Sequence, residues 1–200
     1  TELLLHRLWI TPTAHALLGL SSGPIRAGDM DAALEVLEDA AVKAKLAGDR
    51  ILMGRIANNL GIVFCIARQY EQALEHFRHS VTLRQGLGYR IGVVTNYHNI
   101  GDTYLRMGDM GRAWAAFQRS RDLAREMGWD SGVAMNQIFI TFIEGNPRSQ
   151  EEPGEDPVGR MRQAVAQIER SADVELAVTA HWLMGRLLAA RGQTEAALEV

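Results

Sequence analysis

The sequence predicts an all-α protein built as a stack of about five antiparallel helix pairs. Three observations carry that prediction. Ala33, Ala73 and Ala113 recur forty residues apart. Leu37, Phe77 and Phe117 follow them in the same register, and Gly48, Gly88 and Gly128 close successive units. A fixed period of this size means that each unit is one supersecondary element whose apolar face is buried only against its neighbours.

The first unit, residues 12–48, is the least regular. Leu17 and Leu20 suit the apolar face of its first helix, but Ser21 stands where later units have glycine and Pro24 where they have an aromatic ring. Its second helix is regular, with Ala33, Leu37 and Ala40, and Asp29 and Asp31 start it with acids at the positive end of the dipole. The second unit, 49–88, carries Ala57, Leu60, Gly61 and Phe64, a turn at Arg68-Gln69, then Ala73, Leu74, Phe77 and Ser80. In the third, 89–128, Val94, Tyr97, Ile100, Gly101, Tyr104 and Leu105 mark a helix over 91–107 that Gly108-Asp109 ends. Ala113, Trp114, Phe117, Ser120 and Leu123 mark a second over 110–127, both with the spacing of an amphipathic helix. Gly61, Gly101, Ala73 and Ala113 have a steric cause: they let paired helices approach where a larger side chain would overpack. Phe64 and Tyr104 against Phe77 and Phe117 then fill the space on either side.

The fourth unit, 129–172, starts like the third, Gly132-Val133 echoing Gly92-Val93 and Asn136 echoing Asn96, which predicts a helix over 130–144. Residues 145–157 hold three of the five prolines, with Glu151, Glu152, Glu155 and Asp156, and are expected to form an exposed loop. A four-residue insertion there restores the frame and puts Pro157, Met161 and Ala164 in the places of Ala113, Phe117 and Ser120. Proline fits because it falls in the first turn of the next helix. The last unit, 173–200, has His181, Met184, Gly185, Leu188 and Ala197. Val200 lies inside a helical pattern, so the chain is expected to be a piece of a longer polypeptide.

Composition narrows the function classes. A hydrophobic fraction of 47%, a charged fraction of 22% and a net charge of -3 are those of an ordinary globular chain, without the basic footprint that nucleic acid requires. The apolar runs are too short to span a bilayer, and His6 and Arg7 interrupt the opening apolar stretch, so neither a membrane nor secretion is expected. Cys65 is the single cysteine, which points to a cytoplasmic setting, and its apolar neighbours predict a buried inert thiol. His76 and His79 lie three apart on one helix, but no further ligand signature accompanies them, and a solvated outer face is expected. Gly19, Gly23 and Gly28 lack the Lys and Ser/Thr of a phosphate loop. With no convergent cluster of titratable groups, the sequence predicts no catalytic residue, no metal and no cofactor.

The run Tyr97, Ile100, Gly101, Tyr104, Ala113 and Phe117 resembles the tetratricopeptide repeat pattern, W-x2-L-G-x2-Y followed by A-x3-F. The resemblance extends to most of the chain and implies one right-handed superhelical array over residues 1–200. The forty-residue period is similar to that of long-helix versions in kinesin light chains, polarity adaptors and bacterial regulators, and the Arg/Ala/Gly-rich composition favours a bacterial regulator. The resemblance also implies that first helices line a concave face where ligands sit. On that face fall Arg55, Asn58, Asn59, Ile62 and Ile66 in the second unit, and Thr95, His98, Asn99, Asp102 and Arg106 in the third. Met135, Ile138, Phe139 and Phe142 follow in the fourth unit, then Thr179, Trp182, Leu183 and Arg186 in the fifth.

Asn59 and Asn99 share one repeat position, and their amides either grip the backbone of an extended peptide or bridge neighbouring repeats. The apolar residues of the last two units either suit bulky ligand side chains or a docked helix, or serve as core. The residues expected to bind are Asn58, Asn59, Thr95, His98, Asn99, Asp102, Arg106, Met135, Phe139, Trp182 and Arg186. The leading expectation is recognition of a peptide or partner segment by the interaction or sensor part of a larger regulator. The alternative is a scaffold that self-associates as a homo-oligomer or packs on its own neighbouring domains.

Overall fold

The computed structural model describes residues 13–149, 156–170 and 174–198, whose regular structure is entirely α-helical. The described helices are α1 (residues 13–20), α2 (Ser22–Ala27), α3 (Met30–Ala47), α4 (Arg50–Ile66), α5 (Tyr70–Gln85), α6 (Arg90–Met107), α7 (Met110–Glu126), α8 (Asp130–Gly145), α9 (Pro157–Arg170), α10 (Val174–Ala190) and α11 (Thr194–Leu198). They divide between two compact units, Thr1–Thr103 and Tyr104–Val200. In the first, α2 packs on α3, α3 on α4 and α4 on α5; in the second, the order runs from α7 to α11, with α8 also touching α10.

Local chemistry sets where the helices begin and end. Asp29, Asp49 and Asp109 accept hydrogen bonds from the amides of Ala32, Leu52 and Arg112 at 3.1, 2.9 and 2.9 Å, each satisfying an orphan donor of a first turn. Asp156 does the same for α9 through Gly159 at 2.9 Å, with Pro157 opening that helix as the sequence predicts. Gly28, Gly108 and Gly192 adopt left-handed φ values of 76°, 82° and 78° between the two helices of a pair. Gly192 falls two periods and four residues after Gly108 and takes the same left-handed turn conformation. Arg68 occupies the equivalent turn of the second repeat and is forced to a φ of 61°.

Close helix contacts occur at Gly61, a predicted small position, and at Gly145, which the sequence reading placed in a loop. A Cβ on Gly61 would lie 2.6 Å from the ring of Phe77, and one on Gly145 would lie 2.8 Å from both Leu187 and Pro157. Ala73, Ala113, Phe77 and Phe117 are all buried. Around them, the core of the first unit includes Leu18, Leu37, Leu52, Ile56 and Val63, and that of the second includes Ile138, Phe142, Met161, Ile168, Leu183 and Leu187. Cys65 is buried, with the Thr103 hydroxyl 3.7 Å from its sulfur.

The structure departs from the sequence reading at four places. Leu20 is exposed, because the buried face of the first helix runs through Ala14, Leu18 and Ser21. Phe64 is only half-buried and stacks on His76 with centroids 5.1 Å apart, so His76 is not a solvated surface residue. Burial holds its imidazole below the ordinary histidine value. Gly145 belongs to α8 and is buried rather than in the loop. Of the expected loop, residues 150–155 lie outside the described residues. No described helix is long and apolar enough to cross a membrane.

Arg68 and Gly108 give opposite expectations at equivalent turns. Arg68→Gly should raise stability by about 0.5–1 kcal/mol, since relief of left-handed strain exceeds the added chain entropy; Gly108→Ala should lower it by about 1 kcal/mol. Urea unfolding monitored by helicity measures both.

Asp109 supplies a pH test. Bonds from the Arg112 amide and guanidinium, the latter at 2.5 Å, hold its carboxyl below the ordinary aspartate value of 3.8. The folded state therefore keeps this group ionised at acidity where the unfolded chain has begun to protonate. Its contribution is present well above that ordinary value and fades as pH falls through the folded one. Asp109→Asn keeps an acceptor for the cap but does not titrate. Thermal unfolding between about pH 3 and 6 should lose less stability on acidification in this variant than in the parent.

Candidate functional site

In the first unit the polar residues of α4, α5 and α6 form a relay. Arg84, on α5, is buried and donates from Nη1 to the Gly92 carbonyl and to Asn96 Oδ1, both at 2.8 Å. The Ser80 hydroxyl lies 2.9 Å from Asn96 Oδ1 and 2.6 Å from the Gly54 carbonyl. Asn96 Nδ2 donates to Asn58 Oδ1 at 3.2 Å, and Asn99 Nδ2 reaches the same oxygen at 3.0 Å. Asn58 then donates to Asn59 Oδ1 at 3.3 Å, and Asn59 to the Ser21 hydroxyl at 3.5 Å.

Burial explains why this chain of bonds closes. An isolated buried amide or guanidinium loses its water and must find a partner. Arg84 stands in register with Ala44 and Ala124, and it fits because the residues facing it are small. Its Cγ would lie 3.2 Å from a Cβ on Gly54, and its Cδ 2.6 Å from one on Gly92. Its Nε remains buried without a partner, and burial holds its pKa below the ordinary arginine value. The sequence reading missed Arg84; the break in the alanine register, opposite two glycines, is the signal that could have found it.

The expected binding residues of the first unit therefore divide. Asn58 is buried with its carboxamide engaged three ways, and Asn99 bridges to it across 41 positions. Asn59, Thr95, His98, Asn99 and Asp102 are half-exposed along α4 and α6. The Thr95 hydroxyl is returned to the Ile91 carbonyl at 3.1 Å.

In the second unit, Phe139 is buried and stacks on Phe117 with centroids 4.7 Å apart. Ile138, Phe142 and Leu183, also on the expected ligand face, are core. Met135 is half-exposed and Arg106 exposed. On α10 the arrangement is different. Val174, Val178 and Trp182 follow one another at four-residue spacing and are 74%, 64% and 56% exposed. The next residue in that line, Arg186, places its guanidinium 4.6 Å from the Trp182 ring and 5.1 Å from Phe142. Behind this face, Glu144 accepts from Trp114 Nε1 at 3.1 Å and from Arg160 at 2.9 Å. Among the described residues no group of three or more His, Cys, Asp and Glu side chains could hold a metal ion.

Comparisons with known proteins agree with this architecture. Residues 52–126 match the family model of the tetratricopeptide repeat. No curated protein matches the sequence. Among solved structures, aspartyl phosphate phosphatase F from Bacillus subtilis superposes with a TM-score of 0.76 at 15% identity, over 96% of this chain and 50% of that one. This chain thus corresponds to half the length of that protein. BtubC from P. vanneervenii gives 0.67 at 14% identity over 100% and 89% of the two chains. Nearly identical TPR-like repeats assigned to a kinesin light chain of Podosopora anserina give 0.63 at 15% identity over 92% and 89%. At such identities the likeness is one of fold, a TPR-like helical solenoid.

The relay predicts unequal effects for two adjacent asparagines. Asn58→Ala strands the amide donors of Asn96 and Asn99 and should destabilise the protein by about 2–3 kcal/mol. Asn59→Ala loses two long bonds at a half-exposed site, from Asn58 at 3.3 Å and to Ser21 at 3.5 Å, and should change stability by less than about 1 kcal/mol. Equal losses in chemical denaturation would show that the relay does not hold the unit together.

Proposed function

We propose that this chain, whose residues 52–126 are tetratricopeptide repeats, is a protein-interaction module that binds an extended segment of a partner. The carrying observation is the line of Val174, Val178 and Trp182 on α10, exposed on the first helix of a repeat pair and ending at Arg186. Large apolar side chains in a row on a surface helix mark a contact surface, and tryptophan and arginine are the side chains most often dominant in binding energy. Arg106 and Met135 are the further contacts we assign to the second unit. For the first unit we assign Asn59, Thr95, His98, Asn99 and Asp102, a polar face suited to main-chain contacts. Asn58 and Phe139 support these faces from beneath, being buried.

The same reading makes the chain the interaction or sensing part of a larger bacterial regulator. Its likeness to half of a bacterial aspartyl phosphate phosphatase supports that assignment.

Selection of a random peptide library against this chain tests the proposal. Peptides with micromolar affinity should emerge, and Trp182→Ala should weaken them by at least about tenfold while leaving helicity unchanged. Failure to enrich any peptide, together with concentration-dependent association in sedimentation, would replace this reading with the self-associating scaffold.

A further inference from the structure

Two turns at one edge of the first unit carry most of its exposed apolar side chains. Of the eight large hydrophobic residues exposed among the described residues of that unit, Leu46, Ile51, Leu87, Tyr89 and Ile91 flank the turns at Gly48-Asp49 and at Gly88. The helix α4 leaves this edge and α5 returns to it. The Arg50 guanidinium lies 3.5 Å from where a Cβ on Gly86 would stand, so the two turns are side by side. A Cβ on Gly88 would meet nothing within 4 Å, which puts the second turn at open surface. Tyr89 is held in place there. A Cβ on Gly92 would come within 2.7 Å of its ring, and the buried Arg84 guanidinium lies 5.7 Å from the ring centroid.

The same edge is basic. Lys45, Arg50 and Arg90 are exposed on it. Asp49 is the one acid in residues 45–53, and residues 82–95 have none. Asp49 is already engaged, by the Leu52 amide at 2.9 Å and by His15 at 3.3 Å. Residues 1–12 lie outside the described residues; they bring one acid and one arginine, Glu2 and Arg7, and leave the balance unchanged wherever they lie. The combination is not a general property of the repeat. Two periods on, the positions of Leu46, Arg50 and Ile51 are held by Glu126, Asp130 and Ser131.

Charge and position select the occupant. A second copy seated here by a two-fold contact would set Arg50 and Arg90 against their own counterparts, and like charges repel. A peptide site is concave, whereas these side chains stand on turns at helix ends. An anionic lipid surface suits both halves of the pattern. Aliphatic side chains enter the boundary between headgroups and acyl chains, a tyrosine ring settles at headgroup level, and lysine and arginine reach the phosphates. Apolar and basic contributions are each weak alone, and stable attachment needs the two together. We infer that this edge docks the chain on a membrane surface rich in anionic lipid. Ile51, Leu87 and Ile91 enter the headgroup layer, with Lys45, Arg50 and Arg90 among the phosphates. The sequence argues against a span, not against such a contact, because the patch is assembled from two turns forty residues apart. It is also separate from the line of apolar side chains on α10.

Flotation of the full chain with lipid vesicles provides the test. Vesicles of phosphatidylcholine with about one-third phosphatidylglycerol should carry the chain upward, and vesicles of phosphatidylcholine alone should not. Raising the salt to about 0.5 M should weaken the attachment at least about tenfold. Arg50→Gln should weaken it about fivefold, and Ile51→Ser with Ile91→Ser at least about tenfold, all with helicity unchanged. Trp182→Ala should leave vesicle binding as it was while weakening selected peptides, which separates this edge from the proposed partner site. Absence of binding to the anionic vesicles overturns the inference. So does equal binding by the parent and the double isoleucine variant, which would reduce the contact to charge alone. Concentration-dependent association without vesicles, lost in the double isoleucine variant, overturns it in favour of a second copy. Loss of library-selected peptides in that variant, with no vesicle binding by the parent, overturns it in favour of a protein partner.

Discussion

The contact that most of this structure depends on is the approach of helix pairs at positions that have no side chain. Gly61 lets the ring of Phe77 come within a distance that any Cβ would forbid, and Gly145 does the same between Leu187 and Pro157. Interiors are packed too densely for such a contact to relax by more than a few tenths of an ångström. The consequences spread outward. With Phe77 seated on Gly61, α4 and α5 have one available separation, and that separation brings Ser80 and Arg84 within bonding distance of Gly54 and Asn96. At Gly145 the close contact fixes the end of α8 against α10, which sets Phe142 beneath Arg186.

The first unit then solves an electrostatic problem that its packing creates. A guanidinium occupies a place that alanine holds in the neighbouring repeats, and it is bonded to a backbone carbonyl and an amide oxygen rather than to an acid. Bonds to the Gly92 carbonyl and the Asn96 oxygen compensate part of its lost hydration. Asn96 in turn needs an acceptor for its own amide, and Asn58 supplies it. The relay is therefore sequential: each polar group is acceptable in the interior because the next one receives its proton. Such a chain is most sensitive at Asn58, which serves two donors, and least at the half-exposed Asn59.

The periodicity made the helices and the turns legible, because identical backbone positions recur with similar side chains. Gly28, Gly108 and Gly192 mark equivalent turns, and Pro157 opens α9 where the shifted frame places it. Burial at a given repeat position was much less legible. Asn99 is half-exposed, whereas Phe139 and Leu183 at the equivalent position are covered. The register fixes where a Cβ points, but its neighbours differ from repeat to repeat, and neighbours decide whether it reaches water. Arg84 and His76 were misjudged or missed for the same reason: charge and polarity suggested surface, while Gly54 and Phe64 provided the space and the stacking partner.

Recognition requires groups whose bonding capacity is still open, and the two units differ in this respect. In the first, the Asn58 carboxamide is engaged three ways from within, and the Asn99 amide already points to it. A ligand competing for these groups would have to break internal bonds first, which lowers the net gain from each new one. In the second, Trp182 presents an exposed ring, and Arg186 is engaged among the described residues by the rings of Trp182 and Phe142. Arg186 is also prevented from wandering by the two rings that hold it, so ordering it for a ligand costs little further entropy. A module built this way would use the interior of the first unit mainly to fix the geometry of its helices. Affinity for a partner segment would then be concentrated around α10.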